Sequence, residues 1–390
     1  MSDLLWDAGH TRFRWQNEDL KKCRVRIRGL MHFLLRTDES QILHFVSGAT
    51  SMFRCWIVAL MGCWLAMSSS GTVGADELGP AKDVPELQVL QHYHGDWEVT
   101  VANSGGSTGK VAARWILGGR YLEQSGVLHN PGGPNMWITT LFTFDPSTRK
   151  YRVWTFASNG STGQAEMSWD AVSKTMTSTA PPDANGIRST NTADFSTPGK
   201  ERWHFRYTDR NGQQVGEMRG ENTLRQLGST RLIPAKPVGE LAAEQQPLER
   251  FIGRWKTEYA VPKAEWTPEA KSGSATMAFT RELGGQMVRE RTTHADGTEN
   301  TFLMLFDPQQ KQYRAWWFSS APEVMGQPNN STGQWDEAAK AFTWKLTDAN
   351  GITSSAQHRF VGEKLDWTVL VENPQKVVMF RMDGTSSRAK

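Results

Sequence analysis

The residues best equipped for chemistry are few. Past residue 75 the chain carries His92, His94, His129, His204, His294 and His358, whereas its three cysteines, Cys23, Cys55 and Cys63, all come earlier. His92 and His94 could grip one metal ion, but no third ligand follows at a spacing that completes a site. No Gly-rich phosphate loop and no nucleophile motif is present. No metal, haem or other cofactor is therefore expected, and no catalytic residue is assigned. Arginine among aromatics offers different chemistry. In Tyr151-Arg-Val-Trp-Thr-Phe156 and Tyr313-Arg-Ala-Trp-Trp-Phe318, Arg152, Trp154 and Phe156 share one face of a strand, as do Arg314, Trp316 and Phe318. Turned inward, each guanidinium could hold a carboxylate or phosphate head group while the rings take an apolar tail. Turned outward, the same residues make a structural stack. Of the remaining tryptophans, Trp97 and Trp255 read as core, and Trp137, Trp266 and Trp317 as surface or mouth residues.

The two triplets belong to an internal repeat. His94-Gly-Asp-Trp-Glu98 returns as Ile252-Gly-Arg-Trp-Lys256, Leu117-Gly-Gly-Arg120 as Leu283-Gly-Gly-Gln286, and Asp183-Ala-Asn-Gly-Ile187 unchanged as Asp348-Ala-Asn-Gly-Ile352. The order never changes, so two copies of one domain follow, at 84–226 and 244–390, joined by a linker at 227–243. Glu123 aligns with Arg289, which argues against an acid–base role shared by both copies there. Within a copy, short runs of alternating apolar and polar residues end at Gly, Pro, Asn or Asp, the signature of strands and tight turns. Asp145-Pro146 and Asp307-Pro308 suit the start of a type I turn, and Asn-Gly suits a hairpin needing positive φ. Eight to ten strands per copy predict an all-β fold, each copy an antiparallel up-and-down barrel, since closure removes exposed edges.

Gly95-Asp-Trp97 and Gly253-Arg-Trp255, each after a short helical stretch and before antiparallel strands, resemble the lipocalin and calycin pattern. With Leu-Gly-Gly, Phe-Asp-Pro and Tyr-Arg-x-Trp, the chain looks like tandem calycin-like domains of an exported, uncharacterised bacterial family. The resemblance implies a barrel whose Trp plugs one end beneath a basic side chain from a late strand. Gly95, Trp97 and Arg219, and Gly253, Trp255 and Arg381, are the residues to which it assigns that structural role. It implies no particular ligand.

The prefix differs from the repeats. Of 44 Lys+Arg and 41 Asp+Glu, nine and six precede residue 76, so the remainder is neutral and gives no electrostatic footprint for nucleic acid. The run 55–67 is apolar, too short to span a bilayer and the length of a signal-peptide core; Val73-Gly-Ala75 then supplies small residues for cleavage. Residues 52–75 are expected to be a signal peptide and 1–51 a non-native or disordered extension. Leu60-Met-Gly-Cys63 is the competing reading, a lipobox that would anchor the protein through Cys63. An exported protein is expected, in the periplasm, in the envelope or secreted. Its expected partner is a small lipophilic or amphipathic molecule in a barrel cavity. The alternatives are filled barrels with a structural or envelope role and, as an enzyme, a calycin-type isomerase or hydrolase. Whether the barrels pack on each other is left open by the sequence.

Overall fold

Runs that alternate apolar and polar residues and then break at Asp-Pro, Asn-Gly or Gly-Gly leave the chain little choice but antiparallel hairpins. A computed structural model describes residues 79–390 apart from 104, 184, 228–232, 234–241, 328, 329 and 390. The expected extension, signal peptide, Cys63 and most of the linker lie outside the described residues. The first copy forms β1 (Gly95–Val101), β2 (Thr108–Ile116), β3 (Tyr121–His129), β4 (Met136–Asp145), β5 (Lys150–Ala157), β6 (Thr162–Asp170), β7 (Thr175–Thr179), β8 (Arg188–Asp194), β9 (Lys200–Thr208) and β10 (Gln214–Gln226). The second forms β11 (Gly253–Val261), β12 (Lys271–Glu282), β13 (Met287–His294), β14 (Glu299–Asp307), β15 (Gln312–Ser319), β16 (Asn330–Asp336), β17 (Ala341–Thr347), β18 (Thr353–Val361), β19 (Lys364–Glu372) and β20 (Val378–Arg388). Each strand pairs with its sequence neighbours, and β1 with β10 and β11 with β20 close two barrels. The fold is thus all-β, two ten-stranded up-and-down barrels, with 3-10 helices Pro85–Tyr93 and Ala243–Phe251 ahead of them.

The shared motifs gather at one end of each barrel. The 3-10 helix, Gly-x-Trp, Leu-Gly-Gly and Asp-Pro turns all lie where the chain enters. There Leu87, Leu90 and Tyr93 close the first barrel, and Leu248 and Phe251 the second. The Asp side chains make the turns by accepting from backbone amides two and three residues on. Asp145 takes the Ser147 and Thr148 N–H at 2.9 and 3.3 Å, and Asp307 those of Gln309 and Gln310 at 2.9 and 3.1 Å. Asp183-Ala-Asn-Gly and its copy make hairpins at the opposite end, where Asp183 and Asp348 accept from Ile187 and Ile352 at 2.8 Å.

The barrels also share a core. Leu141, Trp154 and Phe156 on the outer face of the first pack with Met287, Leu303, Leu305, Trp316 and Phe318 on the outer face of the second. Around this seam Arg120 Nε donates to the Ser320 carbonyl at 2.7 Å, Arg314 Nη1 to Thr162 Oγ1 at 3.0 Å, and the Gly326 N–H to Tyr121 Oη at 3.2 Å. Glu123 and Arg289, each 1% exposed, form an ion pair across the seam, with Glu282 on the other side of Arg289 at 2.8 Å.

Candidate functional site

Strand parity decides which side chains reach a barrel interior. On β5, Tyr151, Val153 and Thr155 face in, so Arg152, Trp154 and Phe156 face out; on β15 the same holds for Arg314, Trp316 and Phe318. The inward orientation under which this stripe would bind a head group is therefore not the one adopted. The rings meet each other instead: Trp154 lies edge-on to Phe318 at 5.2 Å, and Phe156 to Trp316 at 4.9 Å. Arg152 reaches Glu166 at 2.7 Å and Asp145 at 3.4 Å, while Arg314 stacks on Trp316 at 4.9 Å and approaches Asp307 at 3.6 Å. The rings of both triplets and Arg314 join the barrels, whereas Arg152 pairs within its own.

At the closed ends, Trp97 Nε1 donates to the Tyr93 carbonyl at 2.9 Å, and Trp255 Nε1 to that of Phe251 at 2.7 Å. Gly253 sits at a φ of 132°, and a Cβ there would lie 2.7 Å from Arg388 Nη1. Arg388, not Arg381, covers Trp255, its guanidinium carbon 4.5 Å from the ring, and it donates to the Ile252 and Arg250 carbonyls. Register explains the correction. Arg388 is the β20 residue opposite Trp255, whereas Arg381 has the other parity and pairs in solvent with Asp383 at 2.7 Å. Arg219 likewise points outward, to Glu217 at 2.9 Å, and the residue opposite Trp97 is Leu224, so the first barrel has no covering cation in that place among the described residues. Gly95, at a φ of 125°, faces the Gln226 carbonyl. Trp137 and Trp266 are buried rather than superficial, and Trp317 shares the inward face of β15.

The first barrel is hollow. Its cavity measures about 380 Å³ and is lined mainly by apolar side chains, with Met136, Met167, Met176 and Met218 prominent among them. The corresponding space of the second barrel carries aromatics. Opposite Met167 stands Ser178; in the second copy the same pair is Gly333 and Trp344. Gly333 lets the indole of Trp344 lie flat against the strand, and Trp344 stacks on Phe342 at 5.2 Å, which meets Trp335 at 4.7 Å. Small side chains in the first copy correspond to large ones in the second at more than one register position: Ser178 to Trp344, and the pair Thr140 and Thr155 to Phe302 and Trp317.

At the closed end of the cavity sits Glu201, 6% exposed. Asn222 Nδ2 donates to its Oε2 at 2.6 Å, and Trp203 Nε1 to Asn222 Oδ1 at 3.0 Å, which fixes the amide. Burial pushes the Glu201 carboxyl up to about 7 against the pull of the Asn222 hydrogen bond. Burial and the nearby Glu201 charge push the Tyr93 phenol well above its ordinary value. Higher in the cavity, Asn191 Oδ1 is buried without a hydrogen-bond partner among the described residues. A carboxyl poised near neutrality in an apolar chamber can hold a cation, donate a hydrogen bond when protonated, or accept a proton. The sequence carried the signal: Glu201 has the parity of Trp203, Phe205 and Tyr207, opposite to Lys200, Arg202, His204 and Arg206. In the second barrel Leu365 takes the place of Glu201. There the inward ionisable groups include Glu290, pushed up to about 7 by burial and bonded by Thr292, His294, whose Nε2 lies 2.8 Å from Asn300 Nδ2, and His358, opposite Phe342 and pushed down to about 4 by burial. Among the described residues no group of three or more His, Cys, Asp or Glu is placed to hold a metal ion, and no helix is long and apolar enough to cross a membrane.

No protein-family model and no curated protein matches the chain. Among solved structures it is similar to a DUF3598-family protein of unknown function from Nostoc punctiforme, at 9% identity and a TM-score of 0.24, over 78% of this chain and 100% of that one. It is also similar to an S-type phycobiliprotein lyase from Guillardia theta, at 10% identity and a TM-score of 0.28, over 39% of this chain and 95% of that one. A third likeness is to Rv2717c from M. tuberculosis, at 13% identity and a TM-score of 0.29, over 39% of this chain and 100% of that one. Likenesses this distant carry no functional inference, and the site rests on its own geometry.

Proposed function

We propose that this is an exported carrier whose first barrel holds a small apolar or amphipathic molecule and whose second, aromatic-filled barrel serves as its structural partner. The observation that carries the reading is the contrast between the copies: the same register position holds Ser178 over a cavity of about 380 Å³ in one and Trp344 in the other. That volume falls within the range of small-molecule sites, roughly 300–1,000 Å³. Export is supported by the apolar run 55–67 with its small-residue flank. The test transplants the filling. With the full chain, the neutral probe N-phenyl-1-naphthylamine is expected to bind one per chain with enhanced fluorescence. The double variant Met167→Gly/Ser178→Trp is expected to weaken that binding at least tenfold while keeping the wild-type circular dichroism. Equal binding by both proteins, or none by the wild type, would refute the carrier reading.

A further inference from the structure

Resting on that reading, we propose that the first barrel selects amphiphiles whose polar end is an amine or similar hydrogen-bond-donating cation, seated at Glu201, over those ending in a carboxylate. The polarity is opposite to that expected from the Arg152 and Arg314 stripes, which lie outside.

Among the described residues the cavity lining holds no lysine, arginine or histidine, and Glu201 is the one lining side chain whose ordinary ionisation at neutral pH carries charge. Its neighbours are already engaged: Asn222 gives one amide hydrogen to Glu201 Oε2, and its oxygen accepts from the Trp203 indole. Glu201 Oε1 is left without a protein donor among the described residues. Asn191 Oδ1, buried and unpartnered, is a second acceptor lining the same chamber. A buried acceptor without a donor is costly, and a ligand that brings donors removes the cost. An ammonium does so and neutralises the carboxylate. A ligand carboxylate would bring more acceptors and a like charge into a chamber that offers no cation. Position fits as well. Glu201 begins β9 and Asn222 lies near the end of β10, so both are at the closed end. Met136 and Met218 belong to hairpins at the opposite end and would flank the tail.

Burial and the Asn222 hydrogen bond set the titration of Glu201. The 3-10 helix Pro85–Tyr93 presents Tyr93; β8, β10, β3 and β4 present Asn191, Asn222, Gln124 and Thr140, none of which titrates. Lys200, Arg202 and Glu221 pair with one another on the outer face. Amine binding should therefore strengthen as pH rises through the Glu201 titration and weaken on acidification.

The experiment displaces N-phenyl-1-naphthylamine from the full chain with decylamine, decanol and decanoate at pH 8, below their aggregation concentrations. Decylamine is expected to displace the probe at a concentration at least tenfold below that of decanoate. Glu201→Gln should bring decylamine level with decanol, and acidification to pH 5.5 should do the same in the wild type while the amine itself stays protonated. Glu201→Leu, which copies Leu365, gives a second variant whose residue the second barrel already accommodates. Displacement by decanoate as effective as by decylamine, or a preference unchanged in both variants, overturns the proposal while leaving the carrier reading intact. A wild-type chain that binds neither probe nor competitors overturns both.

Discussion

Arg388 and the pair Arg219 and Arg381 differ in what they touch, and their replacements should differ accordingly. Arg388→Ala removes a stack on Trp255 and hydrogen bonds to two carbonyls that end the 3-10 helix, a loss of about 1–2 kcal/mol in urea denaturation. Arg219→Ala and Arg381→Ala break exposed pairs and should stay within about 0.5 kcal/mol of wild type. Equal losses at all three would remove the covering role from Arg388. Glu201 gives a pH-dependent counterpart. Its folded carboxyl is raised to about 7, so between the ordinary glutamate range and neutrality the folded state keeps a proton that the unfolded state has lost. Stability from this group is complete at low pH and falls as pH rises towards 7, by roughly 2–3 kcal/mol. Glu201→Gln abolishes that fall, and comparing the two proteins cancels His358, held near 4 by burial and running in the opposite sense. A stability difference between wild type and variant that is the same at pH 4.5 and pH 8 would show that Glu201 is not buried as an acid. The parity of Glu201 with Trp203 and Phe205 was legible in the sequence; the strand has to be read from Lys200, not from Trp203, for the carboxyl to join the aromatic face.

At the scale of elements, the strands, their antiparallel order and the turn chemistry were legible because period-two patterning and Asp-Pro or Asn-Gly breaks are local signals. The direction of β5 and β15 was not. Both faces of these strands are apolar, since one lines a barrel and the other meets the second barrel, and alternation cannot say which is which. The alignment of Glu123 with Arg289 argued against a shared acid–base pair, and their meeting across the seam is a tertiary fact that neither copy's sequence contains. Removing one partner of that buried pair, as in Glu123→Met or Arg289→Met, should cost about 3–5 kcal/mol, whereas the double Met variant should recover most of the loss. A double-mutant cycle in urea checks this, and additive losses would show the two side chains to be uncoupled.

For the whole molecule, residues 76–390 carry as many acidic as basic residues, and the excess of positive charge lies in the prefix. If the prefix is removed on export, the native protein purified from its cell should begin at Asp76 by N-terminal sequencing. A lipid-modified Cys63 would favour the anchored alternative, and a peptide from residues 1–51 would show the extension to be part of the protein. The filled and hollow copies, joined by one hydrophobic core, should unfold together in calorimetry, because Trp316 and Phe318 lose their packing when the first barrel melts.

The seam carries one more consequence. Its ring contacts are reciprocal, Trp154 to Phe318 and Phe156 to Trp316, and Glu123 meets the residue that occupies its own place in the other copy. Such a surface is self-complementary in its hydrophobic part, as at the interface of a twofold homodimer. Its charges break that equality. Two first barrels would set Glu123 against Glu123 and two second barrels Arg289 against Arg289, whereas the mixed pair sets opposite charges together. Severed at the linker and mixed, the two halves should sort themselves into heterodimers.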